Sequence, residues 1–532
     1  MNCHCKQVSI SIQIQNDFIS SIQMGKKETV WHYFVLSVWE NRWHVQYERD
    51  GCYQIGDKKM KLYEKVAKGL RESMEAGLFI AGDKLPSIRQ LVIEHSVSIS
   101  TVQQAYHQLE MEALIEARPK SGYFVSQRSV LPAQPETSRP AQRPIDVSQW
   151  QEVLELLLSK AGDDSVQLQH AMPNMSAPTL KPLLKKMTEL MRHQVALSLP
   201  YGDIKGSLVL REQLAKLALN SGCSLHPDDL VVTSGCQEGL SVCLRAVTEP
   251  GDIVAVESPS FYGSMQAIKT ANLKAMEIPT HSEHGLSLEA LELALEQWPI
   301  KAILVTPTCN NPMGYTMPEE AKKRLYQLAQ SYDICIIEDD IYGDISYQSP
   351  RPKTIKSFDE DGRVLLCSSF SKTVAPGIRV GWIAPGRYRD KVTHIKYVSS
   401  SMCPLLPQLA VADFIKSGGY HRHSRRVRLL YKQGRDHLVQ SIKEHFPDDT
   451  RISFPQGGYI LWVELNKKID TVKLATQCKA GGVSIAAGPL FSATGKYRSC
   501  MRLNFSEQTE IEREKGIRQL AVYINQQIQL IK

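Results

Sequence analysis

Residues 368–382 read SSFSKTVAPGIRVGW, and they decide how the rest of the chain is understood. The stretch closes an apolar run, RVLLC, and so sets Lys372 just beyond a buried strand, among hydroxyls and ahead of Arg379. Four more runs of the same kind lie upstream: LVVTSG, DIVAVESP, KAILVTP and ICIIEDD. Helical patterns separate them. Strands that are apolar on both faces and alternate with helices form a mostly parallel sheet covered on each side, so the class is α/β.

The 532 residues exceed one ordinary core, and more than one domain is expected. With 42% hydrophobic and 22% charged residues the composition is that of a globular protein. There is no apolar run of about 18 residues, so no membrane span is expected. The start, MNCHCKQVSISIQ, lacks the basic and apolar parts of a signal peptide. The 12 cysteines are scattered without a CxxC pair, and Cys3-His4-Cys5 matches no familiar spacing. No metal site is expected, and buried reduced thiols in a cytoplasmic protein are the simpler reading.

Working outward from Lys372, several segments carry chemistry. TSGCQEGL ends a strand and opens a helix, so the backbone N–H groups of Gly235, Cys236 and Gln237 suit a phosphate at the positive helix end. IIEDDIYGD ends a buried strand in acids, and TPTCNNPMG offers an Asn-Pro turn. Taken together, these segments resemble the fold-type I enzymes that depend on pyridoxal 5′-phosphate (PLP), over residues 170–532. The resemblance implies a Schiff base between PLP and Lys372, with Ser369 and Arg379 on the phosphate. It puts Asp339 against the pyridine nitrogen, and Tyr342 and Asn311 on the phenolic oxygen. Glu338 and Asp340 are then structural or solvent-facing. In VESPSFYG, Phe261 becomes the stacking aromatic, with Tyr262 as the alternative. Tyr201 in LPYGDIKG would reach the phosphate of a partner subunit, and Arg502 in MRLNFS would pair with a substrate α-carboxylate. A small C-terminal α+β subdomain completes such a fold.

The N-terminal part reads differently. Leu62, Val66, Leu70 and Met74 recur every four residues as one helix face. GDKLPSIRQL gives a turn and a Ser N-cap for a short second helix. A third helix is expected from Ser100, with Ser100 and Gln103 as a capping box and with Val102, Ala105, Tyr106 and Leu109 buried. LIEARPKSGYFV predicts two strands around a Pro-Lys-Ser-Gly turn. This order is a winged helix-turn-helix, and residues 60–127 are similar to the GntR family. By that resemblance Ser87, Arg89, Ser100, Thr101, Gln103, Lys120 and Gly122 contact double-stranded operator DNA. The segment is not basic, having eight Lys/Arg and eight Asp/Glu between Met60 and Gln127. Ala113 stands where the family usually has glycine. Residues 128–145 hold four prolines and read as a semi-rigid linker, 146–532 as the PLP domain, and 1–59 as an unpatterned extension.

A GntR reader, a linker and an aminotransferase-like domain resemble the MocR subfamily of bacterial regulators. That resemblance implies a homodimer whose DNA binding responds to PLP or to an amino compound. The alternative is a working aminotransferase with an accessory reader.

Overall fold

The computed structural model describes residues 44–47, 53–56, 61–112, 114–118, 121–126, 133–148, 165–193, 199–506 and 509–531. These belong to two compact units, Met1–Gln127 and Arg128–Lys532, each described by itself. Most of the N-terminal extension, Cys3-His4-Cys5 included, lies outside the described residues. Within it His44–Tyr47 (β1) pairs antiparallel with Tyr53–Gly56 (β2), a hairpin that the scattered aromatics gave no sign of.

Three helices, Leu62–Glu75 (α1), Ile88–His95 (α2) and Ile99–Met111 (α3), precede a hairpin of Ile115–Arg118 (β3) and Gly122–Val125 (β4). Their core is Val66, Ala67, Leu70, Leu85, Leu91, Val102, Ala105, Tyr106, Leu109, Ile115 and Val125. Tyr106 stacks on Tyr123 with ring centroids 4.3 Å apart, and its hydroxyl donates to the carbonyl of Pro86. Two expectations are corrected. Leu62 is 59% exposed, because α1 turns its buried face through Val66, Ala67 and Leu70 and the first turn projects past the core. The cap of α3 is Ser98 rather than Ser100: its Oγ accepts from Thr101 N at 3.2 Å, and its backbone is extended. Ser96 is itself the left-handed residue that closes α2, and Ser98 stands at the junction where α3 begins.

The large unit is built on an eight-stranded sheet. In chain order its strands are Val231–Thr233 (β6), Ile253–Ser258 (β7), Lys274–His281 (β8), Gly285–Leu286 (β9), Ile300–Val305 (β10), Cys335–Asp339 (β11), Val364–Ser369 (β12) and Gly381–Ala384 (β13). The spatial order is β6-β13-β12-β11-β10-β7-β8-β9. β12, β11, β10, β7 and β8 run parallel, while β13 and β9 are antiparallel to their neighbours. Every residue of β7 and β11 is buried, as expected of strands covered on both faces. A second, antiparallel sheet of Arg451–Ile452, Ile460–Glu464, Ala486–Ala487 and Cys500–Asn504, with helices Thr471–Ala480 and Glu510–Ile531, forms the C-terminal α+β layer. Val166–Gln167 (β5) pairs parallel with Val483–Ser484.

The proline-rich stretch is tied down from residue 133. Ile145 exchanges two backbone hydrogen bonds with Ala275, and Ser148 N donates to the Ala493 carbonyl at 2.7 Å. Glu136 pairs with Arg451 at 2.8 Å and Lys467 at 3.3 Å, and buried Ser138 Oγ accepts from Thr280 N. Prolines with fixed φ lose little freedom on docking, so a few polar anchors hold such a segment. All nine described cysteines are buried, and no described helix is long and apolar enough to cross a membrane.

Candidate functional site

In open α/β sheets, ligands bind beyond the carboxyl ends of the parallel strands. Asp339 is the last residue of β11 and Ser369 of β12, and Lys372 follows one turn later. The half-buried Lys372 Nζ donates to the Ala171 carbonyl at 2.6 Å. Burial lowers its pKa to about 8, Arg502 adds to this, and Asp339 opposes it. Asp339 is buried, and its Oδ1 accepts from the Cys236 thiol at 3.3 Å and from Ile341 N at 3.2 Å. Burial raises its carboxyl to about 6 despite those donors. A lysine easily deprotonated thus shares the cleft with a carboxylate held in place by hydrogen bonds.

The helix Cys236–Val247 (α4) starts directly after β6, with Gly235 at its N-cap and a φ of +99°. A Cβ at Gly235 would lie 2.5 Å from Arg379 Nη2, so the glycine permits the guanidinium to sit against the helix entrance. Arg379 itself is left-handed (φ +51°) and donates to the Ser234 carbonyl and to Ser371 Oγ. Ser369 Oγ accepts from Ser371 N at 3.1 Å. The Gln237 side chain is engaged with the Gly263 carbonyl, which leaves its backbone N–H in the first helical turn. Glu238, in the same turn, accepts from Ser234 N.

Arg502 is 1% exposed on the strand Cys500–Asn504, and no carboxylate pairs with it among the described residues. It donates to Asn311 Oδ1 at 3.1 Å and to the Gln169 carbonyl at 2.5 Å, and its guanidinium lies 5.1 Å from the Phe491 ring centroid. Burial lowers its pKa, and Tyr262, Tyr342 and Tyr459 oppose that shift. Arg502 Nε and Tyr342 OH are buried polar atoms without a hydrogen-bond partner. Such atoms are costly unless a ligand satisfies them. The phenolic oxygen of PLP would suit Tyr342 OH, and the carboxylate of a bound amino compound would suit Arg502 Nε. The residues present therefore fit the cofactor, and the Gly235–Arg379 cradle fits its phosphate.

Phe261 precedes the helix Tyr262–Thr270, its ring 4.7 Å from that of Tyr262, while Tyr262 meets Phe491 edge-on. Gly263 has no room for a Cβ between Phe261 and Gln237. Tyr201 is 89% exposed and does not join the cleft of its own chain. Glu338 accepts from Ile355 N and Lys356 N, and Asp340 pairs with Arg351, so both acids are engaged in the fold. The segment Gln169-His170-Ala171 was not foreseen. The Ala171 and Gln169 carbonyls hold Lys372 and Arg502, and burial, Arg502 and Lys372 together lower the pKa of His170. Backbone acceptors belong to every residue, so no residue type could have revealed them.

In the small unit, Ser87, Arg89, Ser100, Gln103 and Gly122 are exposed and Thr101 is half-buried. Ser87 Oγ also caps α2 and Thr101 Oγ1 contacts Ser98 Oγ, so these hydroxyls already serve the fold. Arg118 pairs with Glu116 at 2.6 Å and covers the Phe124 ring, which reduces its availability to phosphate. Lys120 and Ala113 lie outside the described residues.

Residues 174–520 match the model for aminotransferase class I and II, and residues 62–125 that for bacterial regulatory proteins of the gntR family. The HTH-type transcriptional regulator YjiR of Escherichia coli (strain K12) is 50% identical over 84% of this chain and 95% of its own length. Aromatic-amino-acid aminotransferase 1 of Thermococcus litoralis is 32% identical over 71% of this chain and 92% of its own. Among solved structures, Pyrococcus horikoshii kynurenine aminotransferase in complex with PMP matches with a TM-score of 0.65 and 32% identity, over 72% of this chain and 95% of that one.

Proposed function

Because the chain belongs to the aminotransferase class I and II family and carries a gntR-family reader ahead of that domain, the layout of MocR regulators, we propose that it is a PLP-holding transcription regulator that senses an amino compound. The observation that carries this reading is the cleft where Lys372, Asp339 and Arg502 converge, with Tyr342 OH and Arg502 Nε left for a ligand. Lys372 would bind PLP covalently, since its lowered pKa leaves about a tenth of the amine neutral and nucleophilic at pH 7, far more than an ordinary lysine. Asp339, positioned by Cys236 and Ile341, would keep the ring nitrogen protonated, and Asn311 and Tyr342 would orient the phenolic oxygen. Arg379, Ser369 and the first turn of α4 would hold the phosphate, with Phe261 on the ring face. When bound, PLP supplies an electron sink.

The effector is an α-amino acid in this reading. A buried guanidinium whose only described partners are neutral acceptors and an aromatic face is poised for a carboxylate. Exposed Tyr201 would complete the site of a second copy, making the active species a cytoplasmic homodimer. Arg89, Gln103 and the neighbouring hydroxyls would read an operator. Binding of the effector changes DNA affinity only insofar as it favours one dimer arrangement over another.

Borohydride reduction followed by peptide mass mapping tests the cofactor claim. A reduced pyridoxyl group on Lys372, absent from Lys372→Ala, is expected; retention by the variant at another residue would refute it. The intact set of groups also admits catalysis, and multiple-turnover conversion of an amino acid with a keto acid would move the reading toward an enzyme.

A further inference from the structure

Between Asp413 and Asp436 the chain holds seven Lys/Arg and no Asp/Glu. Most of this stretch forms the start of the 27-residue helix Gly419–His445 (α7). Arg422, Arg425 and Arg426 are exposed and spaced by three and four residues, so they share one outward face. Val427, Tyr431 and Leu438 bury the opposite side.

The basic face continues on two neighbouring elements. Lys416 ends the helix Leu405–Lys416 (α6), which packs against both α7 and the helix Lys181–His193 (α5). Thr179 Oγ1 contacts His423 Nδ1 at 2.7 Å and so brings the start of α5, with exposed Lys181 and Lys185, toward α7. None of Lys181, Lys185, Lys416, Arg422, Arg425 and Arg426 forms an ion pair among the described residues. Their neighbour Lys186 is different, paired to Glu189 and Asp413.

Six exposed, unpaired cations on three packed elements form a surface suited to a polyanion. The reader, by contrast, is electrically balanced between Met60 and Gln127, so the chain's formal charge of +7 resides elsewhere. Sequence-independent DNA affinity follows the number of phosphates neutralised, and a neutral reader supplies few. We propose that this face of the large unit is a second contact for double-stranded DNA, gripping the phosphate backbone without reading bases. Arginine forks match phosphate oxygens, and the exposed helix face carries three of them. The inference rests on the reading of the chain as a DNA-binding regulator.

The test uses full-length, PLP-loaded protein, a duplex from upstream of its own gene and a duplex of scrambled sequence. Arg422→Gln/Arg425→Gln/Arg426→Gln is expected to weaken binding to both duplexes. It should also flatten the dependence of log affinity on log salt by about one unit per lost contact, while the cofactor absorbance and elution volume stay unchanged. Lys181→Gln/Lys185→Gln, on a separate helix, is the second variant should the first misfold, with a slope change of about two units expected. Wild-type binding with an unchanged slope in the folded variant overturns the proposal alone. A folded wild type that binds neither duplex overturns it together with the regulator reading.

Discussion

Replacing Arg502 with methionine separates recognition from stability. In the unliganded protein the buried guanidinium donates to Asn311 Oδ1 and the Gln169 carbonyl beside the Phe491 ring, and no carboxylate pairs with it among the described residues. Keeping a charge there costs free energy, so an apolar side chain of similar volume is expected to leave the melting temperature unchanged or raise it. Ligand binding should move the other way. A carboxylate meeting this fork makes two charge-assisted hydrogen bonds, each worth roughly 1.5–3 kcal/mol. Taking about 3 kcal/mol for the pair after displacement of the Gln169 carbonyl gives a loss of about two orders of magnitude in affinity. The assay is titration of the cofactor absorbance with an α-amino acid and with the amine that lacks its carboxylate. Wild-type protein should prefer the amino acid by about a hundredfold, and Arg502→Met should show no preference. A variant that keeps the preference, or that loses stability through the unfolding of an otherwise sound core, would refute the assignment.

Other consequences are testable on the same protein. Lys372 has a folded pKa of about 8 against an ordinary 10.5, so its charged form destabilises the fold by roughly 3 kcal/mol below pH 8. That penalty disappears as pH rises toward 10.5. Thermal melts of the unloaded protein should therefore show Lys372→Met more stable than wild type at pH 7, with the gap closing by pH 10. Gly235→Ala should abolish cofactor retention on gel filtration, since its Cβ displaces Arg379 and its positive-φ, extended-ψ backbone adds about 1–3 kcal/mol of strain. Ser98→Ala should lower the stability of the DNA reader by about 1 kcal/mol, while Ser100→Ala leaves its melting nearly unchanged.

The sequence was most readable where residue type and chemistry coincide. Lys372, Asp339, Arg379 and Arg502 are charged groups beside buried strands, and the structure gathers the turn after β12, the end of β11 and the strand Cys500–Asn504 around one cleft. Gly235 was legible for a related reason, because a strand-to-helix turn at positive φ excludes other residues. What escaped was carried by atoms that every residue has, or by a choice among equals. The carbonyls of Gln169 and Ala171 hold Arg502 and Lys372 without a signature, and the cap expected at Ser100 falls two residues earlier, on an identical side chain at Ser98. Cys236 was read for its backbone, yet its thiol orients Asp339. The proline-rich stretch read as a semi-rigid linker because composition reports stiffness and says nothing of Glu136, Ser138 and Ile145 finding partners more than 100 residues away.

DNA affinity measured by fluorescence anisotropy, on the full-length protein with the region upstream of its own gene, tests the central claim most directly. It is compared without PLP, with PLP, and with PLP plus an α-amino acid. The account predicts that loading the Lys372 cleft shifts the affinity and that Lys372→Ala, while still binding DNA, shows no shift. Equal affinity in all three states of the wild-type protein would contradict it.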